Sequence, residues 1–226
     1  MVLVSHKISW VFLTAACLFP LSLTSPALET VCNKGTGFEC ASCEPELICY
    51  DPDVGGRGTC CNNFLYLIEF TKDMISTFGS FVAARSFSIV PFATNATLVS
   101  DLASADEALV SLDALTYTGG STNHAAAINL CRTSLESSPE VDRKNFLLLI
   151  TDGSPSEPVF SPEAEAEAAA EEAKSEGIYI IPLMIKQEIS LYLQRLSSDG
   201  IVFDASDFDD LPSLRETLLA QVECQV

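Results

Sequence analysis

The chain has 226 residues, 48% hydrophobic and 19% charged, a balance that excludes a disordered polypeptide and suits one domain with a sizeable core plus a small appendage. Its 12 basic and 31 acidic residues give a formal net charge of −19. A surface that acidic repels phosphate backbones and argues against nucleic acid as a partner.

Residues Met1 to Ala27 have the layout of an export signal. Lys7 gives a short basic start, an apolar run extends from Ile8 to Leu23 with Pro20 breaking it, and Ser25 to Ala27 supplies small residues that a signal peptidase accepts. The core of this run is short for a membrane span, and no later apolar stretch is long enough to cross a bilayer. The expectation is a secreted mature chain with no stable membrane span after signal cleavage.

Residues 28–61 read as a separate disulfide-rich module. Cys17 lies in the signal, and six of the other eight cysteines fall in this segment: Cys32, Cys40, Cys43, Cys49, Cys60 and Cys61. An exported segment so dense in Cys and Gly builds no hydrophobic core and needs disulfides. The spacing of Cys40 and Cys43 also suits zinc, but no second pair of that spacing and no nearby His accompanies it. Six cysteines allow fifteen pairings, and spacing does not choose among them.

From Asn62 the pattern changes to alternating helices and strands. Phe64 to Phe78 has apolar residues at helical spacing, and Ser86 to Phe92 reads as a strand. Thr94 to Val99 reads as a short paired strand, and Asn95-Ala96-Thr97 is an N-glycosylation sequon. Ser104 caps a helix to Leu115, with Glu107 three residues on. The polar loop Tyr117 to Asn123 leads into a helix over His124 to Leu135. Phe146 to Ile150 is a continuous apolar run, the mark of a parallel strand covered on both faces, and it leads into Thr151-Asp152-Gly153. Ser161 caps and Pro162 opens a helix over Glu163 to Glu176, which Gly177 stops. Ile178 to Met184 reads as a strand, Ile189 to Leu196 as a helix, Ile201 to Phe203 as a strand and Asp207 to Val222 as an amphipathic helix. Such repetition implies an α/β fold, a doubly wound, mostly parallel sheet flanked by helices.

Ligands of such sheets bind at the carboxyl ends of the strands. Thr122 offers a hydroxyl there and Asp152 a carboxylate, hard oxygen ligands that suit Mg2+ or another divalent cation together with waters. Taken by spacing alone, the glycines before Thr122 are equally a plain turn and Asp152 equally a helix cap.

Thr118-Gly119-Gly120-Ser121-Thr122-Asn123 followed by Leu148-Leu149-Ile150-Thr151-Asp152-Gly153 resembles the von Willebrand factor type A family over residues 62–224. The resemblance implies a metal-ion-dependent adhesion site built from an Asp-x-Ser-x-Ser motif after the first strand, a Thr matched by Thr122 and an Asp matched by Asp152. Its cation takes an acidic group from a protein ligand. It also implies a bridge between the two ends of the domain, from Cys224 to Cys60 or Cys61. By contrast Cys131, on an apolar helix, reads as a buried free thiol.

The pattern departs from the family before Asn62, where Cys60-Cys61 stand and no apolar strand with its motif is found. Asp152-Gly153-Ser154-Pro155-Ser156 fits the motif but sits after the fourth strand, so its match reads as coincidental. The first strand is expected to be missing, leaving a gap between the strands at Phe87 and Phe146. A skipped exon of about twenty residues, altered pairing or another segment filling the slot would each account for it, with the skipped exon favoured.

The function expected is that of a secreted, extracellular adhesion module, not an enzyme, that binds an extracellular or cell-surface protein with or without a cation. The alternatives are a secreted hydrolase, for which Ser121, His124 and Asp152 form a triad on paper, and a non-functional truncated isoform.

Overall fold

A computed structural model describes residues 8–14, 50–51, 56–57, 59–81, 85–116, 121–136, 144–157, 160–185 and 191–224; for 8–14, 50–51, 56–57, 59–62, 81 and 223 it describes the backbone alone. In chain order the elements are β1 (Ile8–Thr14), β2 (Tyr50–Asp51), β3 (Gly56–Arg57), α1 (Thr59–Phe81), β4 (Arg85–Pro91), β5 (Ser100–Ala103), α2 (Ala105–Asp113) and α3 (His124–Glu136). They continue as β6 (Lys144–Thr151), α4 (Pro162–Ser175), β7 (Ile178–Ile185), α5 (Leu191–Leu196), β8 (Phe203–Ala205) and α6 (Leu211–Glu223). Strands β2 and β3 form a small antiparallel pair, and the others form one sheet in the order β5-β4-β1-β6-β7-β8. All neighbours in that sheet are parallel except β4 and β5.

The slot between β4 and β6 is filled, which corrects the expected absence of a first strand. Ile8 to Thr14 lies opposite Arg85 to Pro91 on one side and Lys144 to Ile150 on the other. Two facing edges buried without a partner would leave both rows of backbone groups unpaired. The N-terminal stretch Ile-Ser-Trp-Val-Phe-Leu-Thr, rich in β-branched and aromatic residues, has strand propensity and satisfies both edges. The strand therefore comes from the apolar run at the N-terminus and not from the segment before Asn62.

Alternation along β6 divides the interior into two cores. Phe146, Leu148 and Ile150 face a layer of α1, α2 and α6, where Phe64, Leu67, Met74, Phe78, Leu112 and Leu218 are buried. Leu147 and Leu149 face α3, α4 and α5, against Ile128, Cys131, Ala170, Leu193 and Leu196. Burial on both faces explains why β6 lacks the period-two polarity of a half-exposed strand.

Several local expectations differ from the structure, among them the strand read at Ile201 to Phe203, which lies at Phe203–Ala205. Thr94 to Val99 turns back along β4 through one bridge, Phe92 to Ala96, and amide bonds from Thr97 to the Pro91 carbonyl and from Val99 to the Ile89 carbonyl, and the regular strand starts later, at Ser100. Ser161 precedes α4 in a left-handed conformation and makes no side-chain cap, so Pro162 alone marks the helix start. The last helix starts at Leu211, after a 3-10 turn over Phe208–Asp210 that Asp207 caps. Helix α1 begins at Thr59, so Cys60 and Cys61 lie in its first turn.

Gly79 of α1 permits a close helix contact. A Cβ there would stand 2.8 Å from the Cβ of Ala105 in α2, and a methyl on a backbone-fixed carbon cannot rotate away. Gly79→Ala gains about 1 kcal/mol of helix propensity but overpacks this contact by about 1–3 kcal/mol. A net loss of about 1 kcal/mol is expected in urea unfolding; a gain in stability would mean that α1 and α2 separate without cost.

Candidate functional site

From β1 the chain passes to β4 and β5 on one side of the sheet, then crosses to β6, β7 and β8 on the other. The switch point lies between β1 and β6, and a crevice at their carboxyl ends follows from that reversal. Asp152 directly follows β6, and Thr122 stands two residues before α3. Both residues are buried.

Direct hydrogen bonds bring the Thr122 loop to the end of β6. The Thr122 amide donates to Ser156 Oγ at 3.0 Å, while the Ser156 and Glu157 amides donate to the Thr122 carbonyl at 2.9 and 3.0 Å. On its other side the loop is held by the turn after β4. The Asn123 amide donates to the Ala93 carbonyl at 2.9 Å, and the Ser121 amide donates to Thr94 Oγ1 at 3.1 Å. Asn123 Oδ1 accepts from the Ala126 amide at 2.9 Å, which caps α3. Neither Asn123 nor Ser156 was singled out from sequence. An Asn directly before an apolar helix is a legible cap signal, and Ser156 belongs to the motif match dismissed as coincidence.

His124, the first residue of α3, is fully buried and uses both ring nitrogens. Nδ1 lies 2.9 Å from the Tyr192 hydroxyl and Nε2 lies 3.0 Å from Thr151 Oγ1. Thr151 Oγ1 itself donates to the Gly153 carbonyl at 3.0 Å, so the Thr151 oxygen accepts from Nε2–H and Nδ1 accepts from Tyr192 O–H. The ring is stacked on Tyr192 and meets Phe92 edge-on. Burial pushes its pKa down to about 3, so the imidazole is neutral. Burial likewise pushes the Tyr192 hydroxyl well above its usual range. Through Thr151 and Gly153 this chain of bonds grips both neighbours of Asp152.

The triad drawn on paper does not form. His124 bonds to Tyr192 and Thr151, and neither ring nitrogen bonds to Ser121 or Asp152. A base with both nitrogens so engaged has no free lone pair for a serine proton.

Two of the expected cation ligands, Thr122 and Asp152, are among the described residues. Thr122 supplies one hydroxyl and Asp152 one carboxylate. No group of three or more His, Cys, Asp and Glu is placed to hold a metal among the described residues. In the sequence β1 ends at Thr14 and is followed by Ala15-Ala16-Cys17-Leu18, so no Asp-x-Ser-x-Ser motif follows it, and residues 15–18 lie outside the described residues. One carboxylate and one hydroxyl hold a divalent ion weakly.

The other expected sites lie apart. Asn95 is exposed on the turn after β4, beside the residues that hold Ser121 and Asn123. Cys131 is buried with a free thiol, pushed well up in pKa by burial, and the thiol of Cys224 is exposed and free. Cys32, Cys40, Cys43 and Cys49 and the side chains of Cys60 and Cys61 lie outside the described residues, as does the signal apart from β1. Tyr117 to Gly120 lie outside them too. Among the described residues no helix is long and apolar enough to cross a membrane.

A family model described as the von Willebrand factor type A domain matches residues 61–217. No curated protein matches the chain. Among solved structures, the chain is similar to proximal thread matrix protein 1 from the mussel byssus, at 16% identity and a TM-score of 0.65 over 94% of this chain and 47% of that one. A structure of that protein with a zinc-occupied MIDAS motif gives 17% identity and a TM-score of 0.61 over 94% of this chain and 46% of that one. The vWF domain of the type V pili tip protein Mfa5 from Porphyromonas gingivalis gives 10% identity and a TM-score of 0.66 over 99% of this chain and 97% of that one. The chain spans about half the length of the mussel protein, and at these identities the likeness is one of fold.

Proposed function

Because the chain belongs to the von Willebrand factor type A domain family, we propose that it is an extracellular adhesion module that engages a protein at the carboxyl-end face of its sheet without a firmly held cation. The observation that carries this reading is the joining of the Thr122 loop to the end of β6 at the switch point, through Ser156. A binding face built this way is rigid before its partner arrives, which lowers the ordering cost of association. The matrix and pilus-tip proteins of similar fold support a place outside the cell. Cation independence follows from the short donor set. The engaged nitrogens of His124 weigh against the hydrolase reading.

The test is adhesion of beads coated with the full chain to a cell layer and to matrix proteins, with about 1 mM magnesium or with chelator. Adhesion above that of uncoated beads, equal in the two conditions, is the expected result. Unfolding under the same conditions should differ by less than about 0.4 kcal/mol, the most that an ion with a millimolar Kd contributes at that concentration. Beads that do not adhere would overturn the binding reading. Adhesion abolished by chelator, together with a magnesium-dependent rise in midpoint that Asp152→Ala removes, would overturn the cation independence.

A further inference from the structure

Two large apolar side chains stand in water on the carboxyl-end side of the sheet. Phe160, directly before Ser161 and α4, is 86% exposed, and Leu191, the first residue of α5, is 74% exposed. The connections that carry them leave the carboxyl ends of β6 and β7, which are neighbours in the sheet. The helices that follow lie against each other. Arg195 of α5 pairs with Glu167 of α4 at 2.7 Å and with Glu163 at 3.7 Å, and Lys174 donates to the Arg195 carbonyl at 2.9 Å. Leu191 lies one helical turn from Arg195, and Phe160 lies three residues before Glu163. Phe160 and Leu191 therefore stand at the starts of two helices that are in contact.

Single exposed apolar residues are ordinary on a protein surface. A phenylalanine and a leucine on the connections that leave two neighbouring strands, each before a helix of one ion-paired couple, have the form of interface anchors. The surroundings set the charge of the partner. The five glutamates of helix α4, Glu163, Glu165, Glu167, Glu171 and Glu172, outnumber the three bases that pair with them, Arg195 with Glu163 and Glu167, Lys174 with Glu171 and Arg132 with Glu172, in a chain of net charge −19. An acidic rim of this kind repels anionic lipid headgroups and nucleic acid and attracts Lys and Arg.

Resting on the carboxyl-end face as the binding face, we propose that the crest of α4 and α5 docks a cationic protein segment with two apolar anchors, received by Phe160 and Leu191. This reverses the recognition of a metal-loaded site, which takes an acidic group from its partner. Without the first motif the cation is weakly held, and the acidic surface itself selects positive charge.

The test uses the full chain and three labelled synthetic peptides in about 0.15 M salt, where exposed charges are screened beyond about 8 Å. One peptide alternates Lys with Leu and Phe, the second has Ser at the apolar positions, and the third has Glu in place of Lys. Fluorescence anisotropy is expected to detect binding of the first alone. Phe160→Ser and Leu191→Ser should each weaken it at least about tenfold, while Val110→Ser should not change it. Val110 is the control because it is 68% exposed on α2, which packs against α1 and β4. The proposal is overturned if the Ser peptide binds as well as the first, if Val110→Ser weakens binding as much as Phe160→Ser, or if the Glu peptide binds more tightly. Capture of the chain by neutral phosphatidylcholine vesicles, lost in Phe160→Ser, would overturn it in favour of a lipid surface. If no peptide binds while coated beads still adhere, this inference fails alone; if the beads fail too, the binding reading falls with it.

Discussion

Replacing His124 by alanine will destabilise the domain by about 2–4 kcal/mol. The ring is buried, and its loss leaves a cavity beside Phe92 and an unanswered hydroxyl on Tyr192. Thr151 keeps its bonds to Gly153 but loses the donor that ties it to α3. Tyr192→Phe removes only the other end of the chain of bonds and should cost about 1 kcal/mol. The two residues act as one unit, so the double variant should cost less than the sum of the single ones, and additive costs in urea unfolding would sink the network account. A dependence on pH accompanies this. The folded value of His124, about 3, lies below the ordinary value of about 6.5, so the unfolded chain takes up the proton first. The contribution of His124 is therefore fully present above about pH 6.5 and declines as pH falls toward 3, by about 1.4 kcal/mol for each pH unit crossed. His124→Ala should flatten the stability profile between those values by one proton. An unchanged slope would mean that His124 is protonated in the folded state.

The features legible in the sequence were those whose partners lie nearby. Ser104 and Glu107 are three residues apart, and they form the reciprocal cap that their spacing announced. The uninterrupted apolar run of β6 announced a strand covered on both faces. Features set by distant partners were hidden. Ser100 to Ala103 has no alternation, and tertiary contacts make it a strand. The Leu102 amide donates to buried Ser88 Oγ at 2.8 Å, which helps to hold Leu102 at a φ of 45°. Tyr192 stands 68 positions after His124, so the residue read as a plain helix start gave no sign that both its nitrogens are engaged. Asp152 and Thr122 were read from their places at the strand ends and from a family pattern, whereas the Ser156 tie between their loops depends on a fold that spacing cannot describe. The apolar run at the N-terminus is the instructive case. A secretory leader and a strand buried on both faces make the same demand on composition, continuous apolar residues, and one-dimensional pattern does not separate them.

That overlap has a large consequence for stability. Cleavage after Ala27 would take β1 away, so a cleaved leader and this sheet exclude each other. A chain beginning at residue 28 is expected to show no cooperative thermal transition, while the full chain unfolds cooperatively. Strand β1 sits between β4 and β6 and pairs with each along Ile8 to Thr14, so its removal opens two facing ladders in the middle of the sheet and not at an edge. Each backbone group left buried and unpaired costs about 1–3 kcal/mol. A few such groups equal the whole stability of an ordinary domain, about 5–15 kcal/mol. Water entering the slot would satisfy the backbone, but it would also wet the cores on both faces, where Phe87, Ile89 and Val90 of β4 and Phe146 to Leu149 of β6 are buried. Calorimetry of the two chains side by side separates the alternatives. A cooperative transition in the shorter chain would mean that β4 and β6 close directly on each other, which would bring the Thr122 loop and Asp152 into a narrower crevice and leave the N-terminal segment free to serve as a leader. Its absence would mean that the binding face at the carboxyl ends of the sheet exists only while Ile8 to Thr14 remains in place.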